Sequence, residues 1–151
     1  MTQEVNAIIQ KKMIILLEEA FENVHGYFLS KNTSILETLK SINSNVASRL
    51  FENGKETIVG HVKHTLLALK YSQDYLKKND LSKYEWNKDW KDTVNDNEWT
   101  VLINELNLEY CAIKLFMEGI HNMIEGNNLD IIVGSIAHCA YHLAIIRQHI
   151  E

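Results

Sequence analysis

Residues 129–150 read LDIIVGSIAHCAYHLAIIRQHI, and how this stretch is read decides the fold. It is the most apolar part of the chain, yet it contains Asp130, Ser135, His138 and His142. A membrane span needs about 20 predominantly apolar residues, and ionisable groups are rare within one. The stretch is therefore expected to be a core helix of a helical bundle. Ile132, Ile136, Cys139, Leu143, Ile146 and Ile150 recur at three- and four-residue steps and form one aliphatic stripe. His138 and His142 are spaced i, i+4, so they lie about 40° apart on the helix and one turn apart. Their stripe sits roughly a quarter turn from the centre of the aliphatic one. Both imidazoles should face the bundle from the edge of its core.

The rest of the chain suits long helices. Its 151 residues contain no proline and only 6 glycines, and these are the residues that interrupt or weaken helices. Hydrophobic residues make up 46%, enough for one sizeable core. A first apolar face runs from about Thr2 to Val24 through Ile9, Met13, Leu16, Leu17 and Phe21, and Gly26 gives a stop signal. Thr33 to Leu50 reads as a crossover with one or two short helices. A second long helix is expected from about Glu56 to Leu76. A connection from Lys77 to Val94 then carries Tyr84, Trp86 and Trp90; loops of this length in compact domains are usually ordered and often functional. Asn95 followed by Glu98 has the spacing of a capping box, so a third helix should start near Asp96 and run to about Glu125. Gly126-Asn127-Asn128 is a stop and restart. No run alternates with period two. The expectation is an all-α four-helix bundle with a long helical crossover between the first and second long helices, one domain over residues 1–151.

Net charge is −5 and the lysines are scattered. Nucleic-acid binding needs clustered Lys and Arg, so no nucleic-acid partner is expected, and the interrupted apolar stretch argues against a membrane partner. Cys111 and Cys139 both lie in apolar helical patterns, which suggests two buried free thiols and a reducing compartment. With a polar, acidic start unlike a secretory signal, this points to the cytoplasm.

Seven histidines are present. Besides the pair at 138 and 142, His61 and His64 lie about 60° apart on the second long helix. Either could face the fourth helix, and periodicity does not choose between them. Three imidazoles from two helices would leave open positions on a divalent metal, the mark of a catalytic site. The plain alternative is buried neutral histidines hydrogen-bonded within the core. His25, before Gly26, is expected to cap a helix C-terminus. His121 should be structural or exposed, and His149, near the chain end, solvated.

Three segments in order resemble the DinB/YfiT-like superfamily of four-helix-bundle metalloenzymes. Thr57-Ile58-Val59-Gly60-His61-Val62-Lys63-His64 is similar to that family's second helix, with His64 at the position of the first metal-binding histidine. Trp86 and Trp90, then Glu98-Trp99, resemble its Trp-x-x-x-Trp loop and the Glu-Trp opening of its third helix. His138-Cys139-Ala140-Tyr141-His142, followed by Arg147-Gln148, resembles its fourth-helix motif. The chain departs from the family at Ala144, where glycine is frequent. The resemblance implies His64, His138 and His142 as ligands of one divalent metal (Zn, Ni, Fe or Mn), and so selects His64 over His61. It implies a small-molecule substrate, a low-molecular-weight thiol as co-substrate in a metal-dependent S-transfer, and a homodimer. The family's name refers to DNA-damage induction and implies no DNA binding. A metal-dependent hydrolase and a non-catalytic helical binding protein are the competing functions.

Overall fold

The computed structural model describes residues 2–86 and 88–150. All its regular elements are helices: α1 (Gln3–Phe21), α2 (Ile35–Lys40), α3 (Ser44–Ala47), α4 (Ile58–Leu76), α5 (Asp96–Gly119) and α6 (Asn128–Ile150). No strand occurs among the described residues. The starts of the helices follow local chemistry. Thr2, Ser34, Asn43, Thr57 and Asn95 each accept a backbone N–H with the side chain, satisfying donors that a helix start leaves free. The capping box at Asn95 is present: Asn95 Oδ1 accepts the Glu98 N–H at 2.9 Å, and Glu98 returns the bond to the Asn95 N–H at 2.8 Å.

The helix ends depend on partners elsewhere in the chain. α1 stops at Phe21, short of the expected Val24, because the segment beyond is gathered by one side chain. The buried Glu19 carboxylate accepts backbone N–H bonds from His25, Tyr27, Phe28 and Leu29 at 3.3, 2.9, 2.7 and 2.7 Å. Gly26 makes the turn with φ +86°, a conformation that side chains disfavour. α5 ends at Gly119, not near Glu125. Gln10 of α1 donates to the carbonyls of Met117 and Ile120, and Asn6 donates to His121 and accepts from the Met123 N–H. These bonds take the Met117 carbonyl in the last turn of α5 and those of Ile120 and His121 just beyond it, with Met123 fully buried beneath the turn.

α4 packs on α5 and α6, and α1 packs on α5 and α6. The cross-helix bonds give the directions. His61 with His142, His64 with His138 and Ser72 with Ser135 pair α4 and α6 antiparallel. Gln10 with Met117 and Tyr110 with Glu22 make α1 antiparallel to α5. Thr57 meets Trp90 and Asp92 just before α5, while Gln73 meets Glu109, so α4 and α5 run parallel. This relocates the long return. The segment between α1 and α4, with α2 and α3, caps one end, where Trp99 Nε1 donates to the Ile42 carbonyl and Ser44 bonds Asp96. The connection from 77 to 95 travels back along α4: Tyr84 donates to Asp74, the Trp86 ring meets Tyr71 and His64, and the Trp90 backbone meets Thr57. The long return is therefore not between the first and second long helices, where the sequence places it; periodicity carries no information about helix direction.

α6 is long and apolar enough to cross a membrane by length and composition. One of its faces supplies Ile132, Ile136, Cys139, Leu143 and Ile146 to the core, while Val133 and Tyr141 are 46% and 63% exposed. Cys139 is buried as expected, and burial pushes its thiol up. Cys111 is exposed on the outer side of α5, contrary to expectation. There the apolar pattern continues onto a surface face that also carries exposed Leu108 and Leu115.

Candidate metal centre

The histidines cluster where α4 and α6 face each other. His64 Nε2 lies 3.1 Å from His138 Nε2, and His142 Nε2 lies 3.1 Å from the same atom. One nitrogen from each of the three rings falls within 4.8 Å of the others. His142 is buried, and His64 and His138 are half-buried. Of the two candidates on α4, His64 joins this group. His61 meets His142 from behind, Nδ1 to Nδ1 at 2.9 Å.

Two local features hold the cluster in place. Thr57 caps α4 through the Gly60 N–H at 3.1 Å, donates its hydroxyl to the Asp92 carbonyl at 2.7 Å, and donates its own N–H to the Trp90 carbonyl at 2.8 Å. One residue thus starts α4 and pins the returning loop to it. Gly60 permits that approach: a Cβ there would stand 2.4 Å from the Trp90 carbonyl oxygen. The result sets the Trp90 ring against His64, His61 and His142, with centroids at 4.7, 5.2 and 6.2 Å. Trp86 meets the His64 ring edge-on at 5.8 Å. Tyr141 abuts His142 at 5.1 Å although largely exposed.

The environment keeps the rings neutral. Burial holds the His64 imidazole below its ordinary range. Burial, then the neighbouring His64, does the same for His138. Burial, then His138, His61 and His64, lowers His142 to about 3. His61 is lowered chiefly by burial, partly opposed by Glu56. Neutral imidazoles present lone pairs, the form that binds metal.

The donor geometry fits a cation. A neutral imidazole nitrogen carries either one N–H or one lone pair. His138 Nε2 touches two other Nε2 atoms, and its single in-plane site, proton or lone pair, can align with only one of them. A cation in the middle satisfies all three. Ligand nitrogens about 2.0–2.1 Å from a tetrahedral metal are about 3.3 Å apart, close to the 3.1 Å observed here.

Beside His64, a cleft of about 260 Å³ is lined by Lys63, Leu67, Lys83, Glu85, Lys88 and Asp89. Its lysines are paired, Lys63 with Asp92, Lys83 with Asp74 and Lys88 with Glu85. A larger cleft of about 510 Å³ lies between 49–52 and 148–150 and adjoins the cluster at Phe51, which stacks on His61 at 5.5 Å.

The other histidines correct two expectations. His25 does not cap helix carbonyls; its ring bonds the Glu18 carboxylate at 2.9 Å. His149 is half-buried, because α6 stays helical to Ile150 and its ring stacks on Phe51 at 3.4 Å. His121 is exposed, as expected. The sequence reading missed Gly60, Phe51 and Glu56. Gly60 had a readable signal, since glycine near a helix start costs stability unless something approaches it closely. Phe51 and Glu56 had none, because they reach the cluster only through the fold. No family model, curated protein or solved structure matches this chain, so its function is argued from this geometry.

Proposed function

We propose that this chain is a DinB/YfiT-like metalloprotein, its four long helices forming a four-helix bundle, and that it binds one divalent cation through Nε2 of His64, His138 and His142. The observation that carries the reading is the convergence of three neutral imidazole nitrogens whose contacts cannot all be well-aligned hydrogen bonds. Three imidazoles suit Zn, Ni, Fe or Mn.

The reaction we favour is S-transfer from a low-molecular-weight thiol to a small electrophile. The bound cation would supply Lewis acidity, holding the sulfur as thiolate. The chain supplies the surroundings. Trp90 and Trp86 pack their rings against His64 and supply an apolar wall to the site. The cleft beside His64, of about 260 Å³, opens on the cluster at that residue. Hydrolysis would need a base beside the cluster to activate water; Glu56 stands behind His61, while Glu85, ion-paired with Lys88, and Asp89 line the cleft beside His64 and are the candidates for that role.

Elemental analysis of protein purified without a His tag tests the metal reading. The expected result is about one equivalent of a transition metal, lost in His138→Ala. Protein without stoichiometric metal that also takes up none on titration would overturn it. Turnover of small electrophiles with low-molecular-weight thiols, abolished by His138→Ala, is expected; hydrolysis without added thiol would move the assignment to a hydrolase.

A further inference from the structure

His61 is 2% exposed, and its Nε2 is the one buried side-chain nitrogen or oxygen without a hydrogen bond among the described residues. Its ring is clamped between Phe51, stacked at 5.5 Å, and Trp90, edge-on at 5.2 Å. A buried polar atom left unpaired costs about 1–3 kcal/mol, so a residue chosen only for packing at this position would be an apolar ring.

The other nitrogen supplies the reason for histidine. If His142 gives its Nε2 lone pair to a cation, its only proton must sit on Nδ1. That Nδ1–H faces His61 Nδ1 at 2.9 Å. To accept it, His61 must keep a lone pair on Nδ1 and carry its own proton on Nε2. That Nε2–H then faces the Glu56 carboxylate, whose Oε2 stands 3.8 Å away. Metal-binding histidines generally donate their second N–H to a partner that fixes tautomer and orientation.

We infer that His61 is a positioning residue: it accepts the Nδ1–H of His142, locks His142 in the tautomer that turns Nε2 to the cation, and is itself oriented by Glu56. The inference rests on the metal reading above and adds to it the path His142–His61–Glu56. The proton positions along it are all fixed by one choice, the lone pair on His142 Nε2.

Two variants and one spectrum test it, with Zn²⁺ alone as the probe. His61→Phe keeps the ring and its stacking and removes the acceptor. His61→Asn loses the ring and places an amide oxygen near the position of Nδ1. Competition against a chromophoric chelator should show Zn²⁺ binding weakened roughly 10–100-fold in His61→Phe and largely restored in His61→Asn. Long-range ¹⁵N–¹H correlation of Zn²⁺-loaded wild type should show His142 protonated on Nδ1 and His61 on Nε2. Wild-type affinity in a folded His61→Phe protein, or a His61 proton on Nδ1 in the loaded wild type, would overturn the inference while leaving the metal reading intact. Failure of the wild type to bind Zn²⁺, and Ni²⁺, Fe²⁺ and Mn²⁺ tried after it, removes the metal reading, and this inference with it. The spectrum needs no variant, so it decides the question even if His61→Phe fails to fold.

Discussion

Replacing Gly60 by alanine should destabilise the protein, the opposite of what helix propensity alone predicts. Alanine is favoured over glycine in a helix by about 1 kcal/mol. At Gly60, however, the new Cβ would stand 2.4 Å from the Trp90 oxygen and 2.8 Å from its carbonyl carbon and Cα, all backbone atoms. Ordinary contact begins near 3.4 Å, so the Trp90 segment must retreat by about 1 Å. The Thr57 N–H bond to that carbonyl, now 2.8 Å, would then exceed hydrogen-bond range. Losing it costs about 1–2 kcal/mol, and forcing the loop outward costs about 1–3 kcal/mol. Set against the propensity gain, the net loss is about 2 kcal/mol. For a chain of this length that lowers Tm by about 4–8 °C. Far-UV circular dichroism reads the transition, and tryptophan fluorescence reads the displaced Trp90. Gly134→Ala is the internal control. It lies on the exposed side of α6 with nothing within 4 Å of an added methyl, and should gain about 0.5–1 kcal/mol. A Gly60→Ala protein as stable as wild type, or more so, with unchanged fluorescence, would refute the close approach that seats Trp90 over the histidines.

Glu19→Gln should cost about 3–5 kcal/mol in urea denaturation, because a carboxamide NH₂ would replace an oxygen that accepts two of the four backbone bonds. Burial by itself would raise the Glu19 carboxyl, but the N–H groups of Phe28, Leu29, Tyr27 and His25 hold it below its usual range. Its contribution is therefore complete above the unfolded value near 4.5 and is lost as pH falls below that; acid unfolding of Glu19→Gln should show a correspondingly smaller pH dependence. In metal-free protein the histidines act at higher pH. His142, lowered by burial and its His neighbours from 6.5 to about 3, takes up its proton in the unfolded chain first. Its contribution is complete above 6.5 and declines as pH falls from there towards 3, on the order of 2 kcal/mol by about pH 5. Chemical denaturation with a chelator present at about pH 7.5 and about pH 5 measures this; equal stability at both would show that the cluster is not held neutral.

The sequence was sufficient wherever a residue's role depends on its neighbours in the chain. The absence of proline and the three- and four-residue apolar steps predicted the helices. Asn95 and Glu98 predicted the start of α5, because a cap is a contact across three residues. The i, i+4 spacing placed His138 and His142 on one side of α6, and their Nε2 atoms do meet. Where a role depends on distant partners, tertiary structure decided it. α5 ends where Gln10 of α1 takes its Met117 carbonyl and Asn6 takes that of His121 just beyond it, contacts that no local signal encodes. Cys111 has the apolar pattern of a buried residue but faces outward, because the apolar positions of α5 outnumber those its neighbours can cover. The choice between His61 and His64 is of the same kind. The two lie about 60° apart on one helix, and only the antiparallel packing of α4 on α6 brings His64 to the Nε2 group and His61 to the far nitrogen of His142. Helix formation is local and is written in periodicity; the rotation and direction of each helix are set by what it packs against. The pair on α6 could therefore be read directly, the third histidine was reached in the sequence only through a family resemblance, and the role of the fourth behind it depended on the fold.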